Sequence, residues 1–162
     1  MTFVLAEESS SPMVSRPCPV ESHNEWDPLE EIIVGRLEGA VIPSNHIAIN
    51  ISVPRRVVPL FALFSGMRYP GLLVKPAQRE LERFVSALES FGVVVRRPEP
   101  LDGRRWLQTP EWKSRGFCTA CPRDGFLVLG QQILETPMPW RCRFHEGVAY
   151  RKLFQEYHRQ GA

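Results

Sequence analysis

At 162 residues, with 43% hydrophobic and 23% charged positions, the chain has the size and make-up of one ordinary globular domain. A net charge of +2 is too small to imply a nucleic-acid partner, and the pairs Arg55-Arg56, Arg96-Arg97 and Arg104-Arg105 are scattered without interleaved aromatics for base stacking. No apolar run reaches the ~20 residues of a membrane helix, so no membrane span is expected.

The first sixteen residues carry Glu7, Glu8 and Ser9-Ser10-Ser11 where a signal peptide has a basic start and an apolar stretch. Residues 1–17 therefore read as a disordered tail before a domain at 18–162, and a cytoplasmic protein is the expectation. After Pro17-Cys18-Pro19 and the polar run His23 to Pro28, Ile32-Ile33-Val34 is β-branched and closed by Gly35, which predicts a buried strand. From Leu37 to Tyr69 the prolines Pro43, Pro54 and Pro59, with Pro70 just beyond, interrupt any helix, and Asn45 to Val53 reads as a strand or a loop. The apolar run Val57 to Phe64 is suited to cover a core or a partner.

The clearest element is a helix from Ala77 or Gln78 to Phe91. Leu81, Phe84, Val85, Leu88 and Phe91 recur at three and four residues as one apolar stripe, with Pro76 at the start and Gly92 as the stop. Val93 to Arg97 follows as a strand ended by Pro98. Glu99 to Phe117 reads as a proline- and tryptophan-bearing loop. Phe126 to Gly130 and Gln132 to Glu135 predict two strands joined by a tight Gly130-Gln131 turn. Val148, Leu153, Phe154 and Tyr157 then give a last helix between about Phe144 and His158. Strands alternating with helices imply an α/β architecture of sheets covered by helices.

Two sets of residues carry candidate chemistry. Asp124, one of three aspartates, directly precedes an apolar strand, where a carboxylate is placed to meet a ligand; Asp124-Gly125 also fits a plain turn. Cys118-x-x-Cys121 and Cys142-x-x-His145 have zinc-site spacing, with twenty residues between the pairs and a hairpin among them. That pattern opens an alternative, a zinc-stabilised binding module that is not an enzyme. A nucleophilic pairing of Cys118 or Cys121 with His145 or His23 would need spatial contact that the sequence does not supply.

The segments His23-Asn24-Glu25-Trp26-Asp27-Pro28-Leu29-Glu30-Glu31-Ile32-Ile33-Val34-Gly35, Gly92 to Pro98, Cys121-Pro122-Arg123-Asp124-Gly125, Glu135-Thr136-Pro137-Met138 and Arg141-Cys142-Arg143-Phe144, in that order, resemble the amidinotransferase family. Its members include glycine amidinotransferase and the inosamine-phosphate amidinotransferases. The resemblance runs from about Cys18 to Ala162. It implies a pentein-like α/β-propeller of ββαβ modules, of which this chain would be the N-terminal part. It implies transfer of the amidino group from L-arginine to an amine acceptor, glycine or an inosamine phosphate, on a cysteine thiolate and without a cofactor or metal.

The family's Arg-Asp aspartate, a guanidinium ligand, maps onto Asp124, while Arg123 either orients that carboxylate or is a surface charge. The family's catalytic cysteine, histidine and aspartate lie in segments with no counterpart here, so no residue of this chain is assigned a catalytic role. The chain is expected to be truncated and inactive alone, and to associate with a complementing chain or with itself. A non-catalytic interaction protein derived from the same fold is the remaining alternative.

Overall fold

The computed structural model describes residues 18–162; the tail expected at 1–17 lies outside the described residues. Strand β1 (Glu31–Ile33) pairs in parallel with β2 (Val94–Arg96), Glu31 opposite Val94 and Ile33 opposite Arg96. Parallel neighbours need a long crossover. Here it comprises α1 (Ile47–Ser52), α2 (Val58–Leu63) and α3 (Gly71–Ser90). Two antiparallel hairpins follow, β3 (Trp106–Gln108) with β4 (Lys113–Arg115) and β5 (Phe126–Leu129) with β6 (Gln132–Glu135), and α4 (Gly147–Arg159) ends the element order. The described chain is thus mixed α/β with three small open sheets.

Several expectations need correction. Helix α3 starts six residues earlier than Ala77, after Pro70, and Pro76 lies inside it. At the sixth position the missing N–H removes one intrahelical bond, and the amides before it in the first turn have no partner in the helix anyway. The stripe also divides. Val85 is buried and Leu81 and Leu88 are half-buried, whereas Phe84 and Phe91 are 50% and 86% exposed. A sheet of two three-residue strands is too narrow to cover a helix face of that width. The predicted stop is correct: Gly92 adopts φ +82°, its N–H meets the Glu89 carbonyl, and Val93 N–H meets Leu88. That is the Schellman pairing, which needs a left-handed residue.

Residues 45–53 form neither strand nor loop. They contain α1, whose first turn is capped by His46 Nδ1 accepting from the Ala48 amide at 3.3 Å, with Ile49 buried beneath it. The supposed loop after Glu99 contains the β3–β4 hairpin. Its alternation is concealed because its outward face is cationic and aromatic. Trp106 lies beneath the Arg115 guanidinium (4.9 Å) and the Lys113 ammonium (5.4 Å) on the partner strand. The β5–β6 turn is as predicted, Leu129 opposite Gln132, with Gly130 at φ +56°. Helix α4 begins at Gly147, after a 3-10 turn at Arg141–Arg143, rather than at Phe144.

Helix α4 ties the pieces together. Ala149, Tyr150, Leu153 and Tyr157 make its buried face. Leu153 and Tyr157 pack with Val20 against Ile33 and Ile133, joining β1 and β6. Phe126 of β5 meets the rings of Tyr150 and Phe154 at 4.9 and 4.7 Å. Tyr157 donates to Glu31, and Glu156 accepts from Arg96, so the start of β1 and the end of β2 are anchored by side chains of the same helix.

Gly35 does more than close a strand. Arg36 exchanges backbone hydrogen bonds with Thr119 (3.0 and 3.2 Å), and a Cβ on Gly35 would lie 2.0 Å from the Thr119 carbonyl oxygen and 2.5 Å from Ala120 backbone atoms. Backbone cannot swing aside as a side chain can. Gly35→Ala is therefore expected to cost about 3 kcal/mol or more of stability, at the upper end for overpacked sites. A urea unfolding midpoint equal to that of the parent chain would refute the close crossing.

Candidate functional site

The crossing at Gly35 delivers the chain to the candidate site. Thr119 is held by Arg36 and by the Tyr150 hydroxyl, which donates to its carbonyl at 2.7 Å. Three residues later comes the 3-10 turn Pro122–Asp124, which ends at Gly125 and runs into β5. The turn is fastened from β6's side: Thr136 N–H meets the Gly125 carbonyl at 2.9 Å, and Thr136 Oγ1 donates to the Asp124 carbonyl at 3.2 Å. The carboxylate predicted from the sequence thus stands at the mouth of a strand, on a turn fixed at both ends.

What faces Asp124 is a guanidinium of the same chain. Arg143 Nη1 donates to Asp124 Oδ2 at 2.7 Å. Its other edge grips Glu146, with Nε to both carboxylate oxygens at 2.9 and 3.0 Å and Nη2 to Oε2 at 2.9 Å. Nη2 also reaches the Cys121 carbonyl at 3.3 Å. The side chains of Arg143 and Glu146 are 11% and 8% exposed, but that of Asp124 is 53% exposed. Carboxylates around a planar cation form the strongest class of charge-assisted contact.

Burial disfavours charge on Arg143, yet its hydrogen bonds to Glu146 and Asp124 outweigh that and raise its pKa, so it stays charged. Burial pushes the Glu146 carboxyl above its ordinary value against the pull of Arg143. A small cavity is lined by Cys121, Gly125, Phe126, Glu135, Arg143 and Glu146.

Arg143 is the residue that sequence reasoning missed, although it stands in one of the quoted segments. Arg123 does not orient Asp124; it points to solvent and pairs with Glu25 at 2.5 Å. The sequence signal for Arg143 was its i, i+3 spacing to Glu146, a separation that places two side chains together on a helical turn.

The zinc alternative finds no support. Cys118 and Cys142 are buried, Cys121 is exposed, and the His145 ring packs edge-on to Phe144 at 5.1 Å. Among the described residues no three His, Cys, Asp or Glu side chains are grouped to share a metal ion. Nor do the thiols resemble activated nucleophiles, which have lowered pKa values. Burial pushes Cys118 up to about 11 and Cys142 up to about 12. His23 Nε2 pairs with the Glu21 carboxylate at 3.4 Å, and no cysteine is hydrogen-bonded to it among the described residues. Among the described residues, no helix is long and apolar enough to cross a membrane.

No protein-family model matches the chain. Individual proteins do. Mitochondrial glycine amidinotransferase of Danio rerio is 42% identical over 157 residues, which are 97% of this chain and 37% of that protein. Among solved structures, an amidinotransferase of the saxitoxin biosynthetic pathway from Microseira wollei superposes with a TM-score of 0.82 at 45% identity, covering 90% of this chain and 42% of its own. The inosamine-phosphate amidinotransferase of Streptomyces griseus gives 0.75 at 39% identity, covering 89% and 41%. A mixed α/β chain with a carboxylate–guanidinium site is thereby similar to amidinotransferases over most of its own length. Its homologues are glycine amidinotransferase and inosamine-phosphate amidinotransferase, and the chain spans about two fifths of the length of these relatives.

Three outcomes follow from the site's geometry. Replacing Arg143 by alanine strands a buried carboxylate and should cost about 3 kcal/mol, whereas Asp124→Ala, at an exposed partner, should cost under about 1 kcal/mol in the same denaturation assay. The buried thiols supply a pH signature. Between about 9 and 12 the unfolded chain loses thiol protons that folded Cys118 and Cys142 keep, so the unfolded state binds fewer protons and stability falls as pH rises through that window. At pH 8, iodoacetamide should alkylate Cys121 while sparing Cys118 and Cys142, as read by peptide mass spectrometry. Equal labelling of all three would contradict their burial.

Proposed function

We propose that residues 18–162 form the N-terminal part of an amidinotransferase domain, an α/β-propeller, and that Asp124 there binds the guanidinium of L-arginine. The reaction is transfer of the amidino group to an amine acceptor such as glycine or an inosamine phosphate. The observation that carries this reading is the likeness to amidinotransferases over 89–97% of the chain, joined to a half-exposed carboxylate on a rigid turn. A carboxylate so held accepts N–H bonds from a planar cation and orients its central carbon for attack.

The attacking thiolate is supplied from outside these residues, in keeping with the pKa values of Cys118, Cys121 and Cys142, which desolvation raises in each case, opposing ionisation. The chain alone is accordingly inactive, and a complementing chain, or the remainder of a longer one, completes the site. Apolar side chains left in solvent support such a partner. Leu127, Val128, Leu129 and Leu134 on the β5–β6 hairpin are exposed, as are Leu60, Leu63, Leu72 and Leu73 around α2 and the start of α3.

The test is amidino transfer by the purified chain with arginine as donor and glycine or hydroxylamine as acceptor. No turnover is expected, and activity should appear when a chain carrying the missing cysteine is added. Turnover by the 162 residues alone would overturn the proposal and make Cys118 or Cys121 the group to replace next.

A further inference from the structure

Arg143 spans the interior and the mouth of the site. Its inner edge is locked to the Glu146 carboxylate by Nε and Nη2, and its Nη1 emerges to meet Asp124 Oδ2 at 2.7 Å. A second contact from Nη2, to the Cys121 carbonyl at 3.3 Å, pins the residue just before the 3-10 turn that carries Asp124. One side chain therefore fixes both the backbone and the carboxylate of the candidate ligand. Among the described residues no hydrogen bond reaches Asp124 Oδ1, and the side chain is half in solvent. The three groups together carry one net negative charge. Arg143 compensates buried Glu146, and the surplus lies at the exposed carboxylate.

We propose that Arg143, held by Glu146, is a positioning residue that presets Asp124 to accept an incoming guanidinium on its free Oδ1. The inference rests on the reading of Asp124 given above. Two effects of Arg143 oppose each other. Its charge weakens the attraction between Asp124 and a second cation, but exposed charges are screened and this loss is modest. Its fork holds the aspartate in one rotamer on a fixed turn, so binding need not order it. Lysine keeps the charge near Glu146 but has no planar fork to span both carboxylates. Positioning should therefore be lost before stability is.

The experiment is calorimetric titration of L-arginine into the full 162-residue chain, alongside thermal unfolding, for the parent, Asp124→Asn, Arg143→Lys and the double variant. Arg143→Lys should weaken binding about tenfold, as removal of supporting residues does elsewhere, while its Tm stays within a few degrees of the parent. The double variant should bind no more weakly than Asp124→Asn, because the two residues act on one contact. Arginine binding by Arg143→Lys equal to the parent's, with Asp124→Asn impaired, would overturn the positioning role and leave Asp124 as ligand. Tighter binding would overturn it too, showing that Arg143 competes for the carboxylate. A parent that does not bind, or an Asp124→Asn variant that binds as the parent does, would remove the reading of Asp124 and the inference with it. Should Arg143→Lys fail to fold, Glu146→Gln replaces it. That variant leaves Arg143 with Asp124 as its charged partner and a neutral amide oxygen in place of Glu146, so it should bind arginine several-fold more weakly with a Tm lowered by less than in Arg143→Ala, and unchanged affinity would overturn the role.

Discussion

A carboxylate buried at the start of a helix must find a cation, and in this protein that requirement organises the site. Glu146 sits just before the first turn of α4, out of water, and among the described residues the guanidinium of Arg143 is the cation that pairs with it. Having met Glu146 with one edge, Arg143 has donors left over, and these hold the Cys121 carbonyl and Asp124. Desolvating a pair of charges gains little stability by itself. What such a pair does supply is direction, because a planar fork satisfies three acceptors in only one orientation.

That orientation would be worthless on a loose frame. The frame is set by backbone crossing: two residues past the end of β1 stands Gly35, where the absence of a side chain lets Thr119 and Ala120 pass almost in contact. The Tyr150 hydroxyl then meets the Thr119 carbonyl from α4, the helix whose N-terminal end Glu146 adjoins. The Asp124 turn is thus referenced twice to α4, once through a tyrosine and once through the ion network. Rigidity at the turn follows from the same buried helix face that packs β1, β5 and β6.

The rest of the surface has a different character. Two-stranded sheets cannot bury both of their faces, and here apolar side chains on the β5–β6 hairpin and around α2 stay in solvent. The chain spans some two fifths of the length of its amidinotransferase relatives. The thiols show the same division between inside and outside. Cys118 and Cys142 are core residues whose ionisation burial opposes, and despite their zinc-like spacing with Cys121 and His145 no three His, Cys, Asp or Glu side chains are grouped to share an ion among the described residues.

The sequence by itself determined the elements whose causes are local. The β-branched run before Gly35, the Gly92 stop and the Gly130-Gln131 turn depend on conformations that one or two residues impose, and each is where the pattern put it. Asp124 at the mouth of a strand was legible for the same reason, as was the likeness to amidinotransferases carried by contiguous words of sequence. Elements that depend on partners were not. Only packing decides that Phe84 and Phe91 face water, that a proline can lie within α3, or that a cationic and aromatic alternation makes the β3–β4 hairpin. Arg143 and Asp124 are nineteen residues apart, and no local periodicity predicts that a guanidinium on one will meet the other. Their contact exists because α4 is buried against β1 and β5, and burial is a property of the whole fold that no short window of sequence contains.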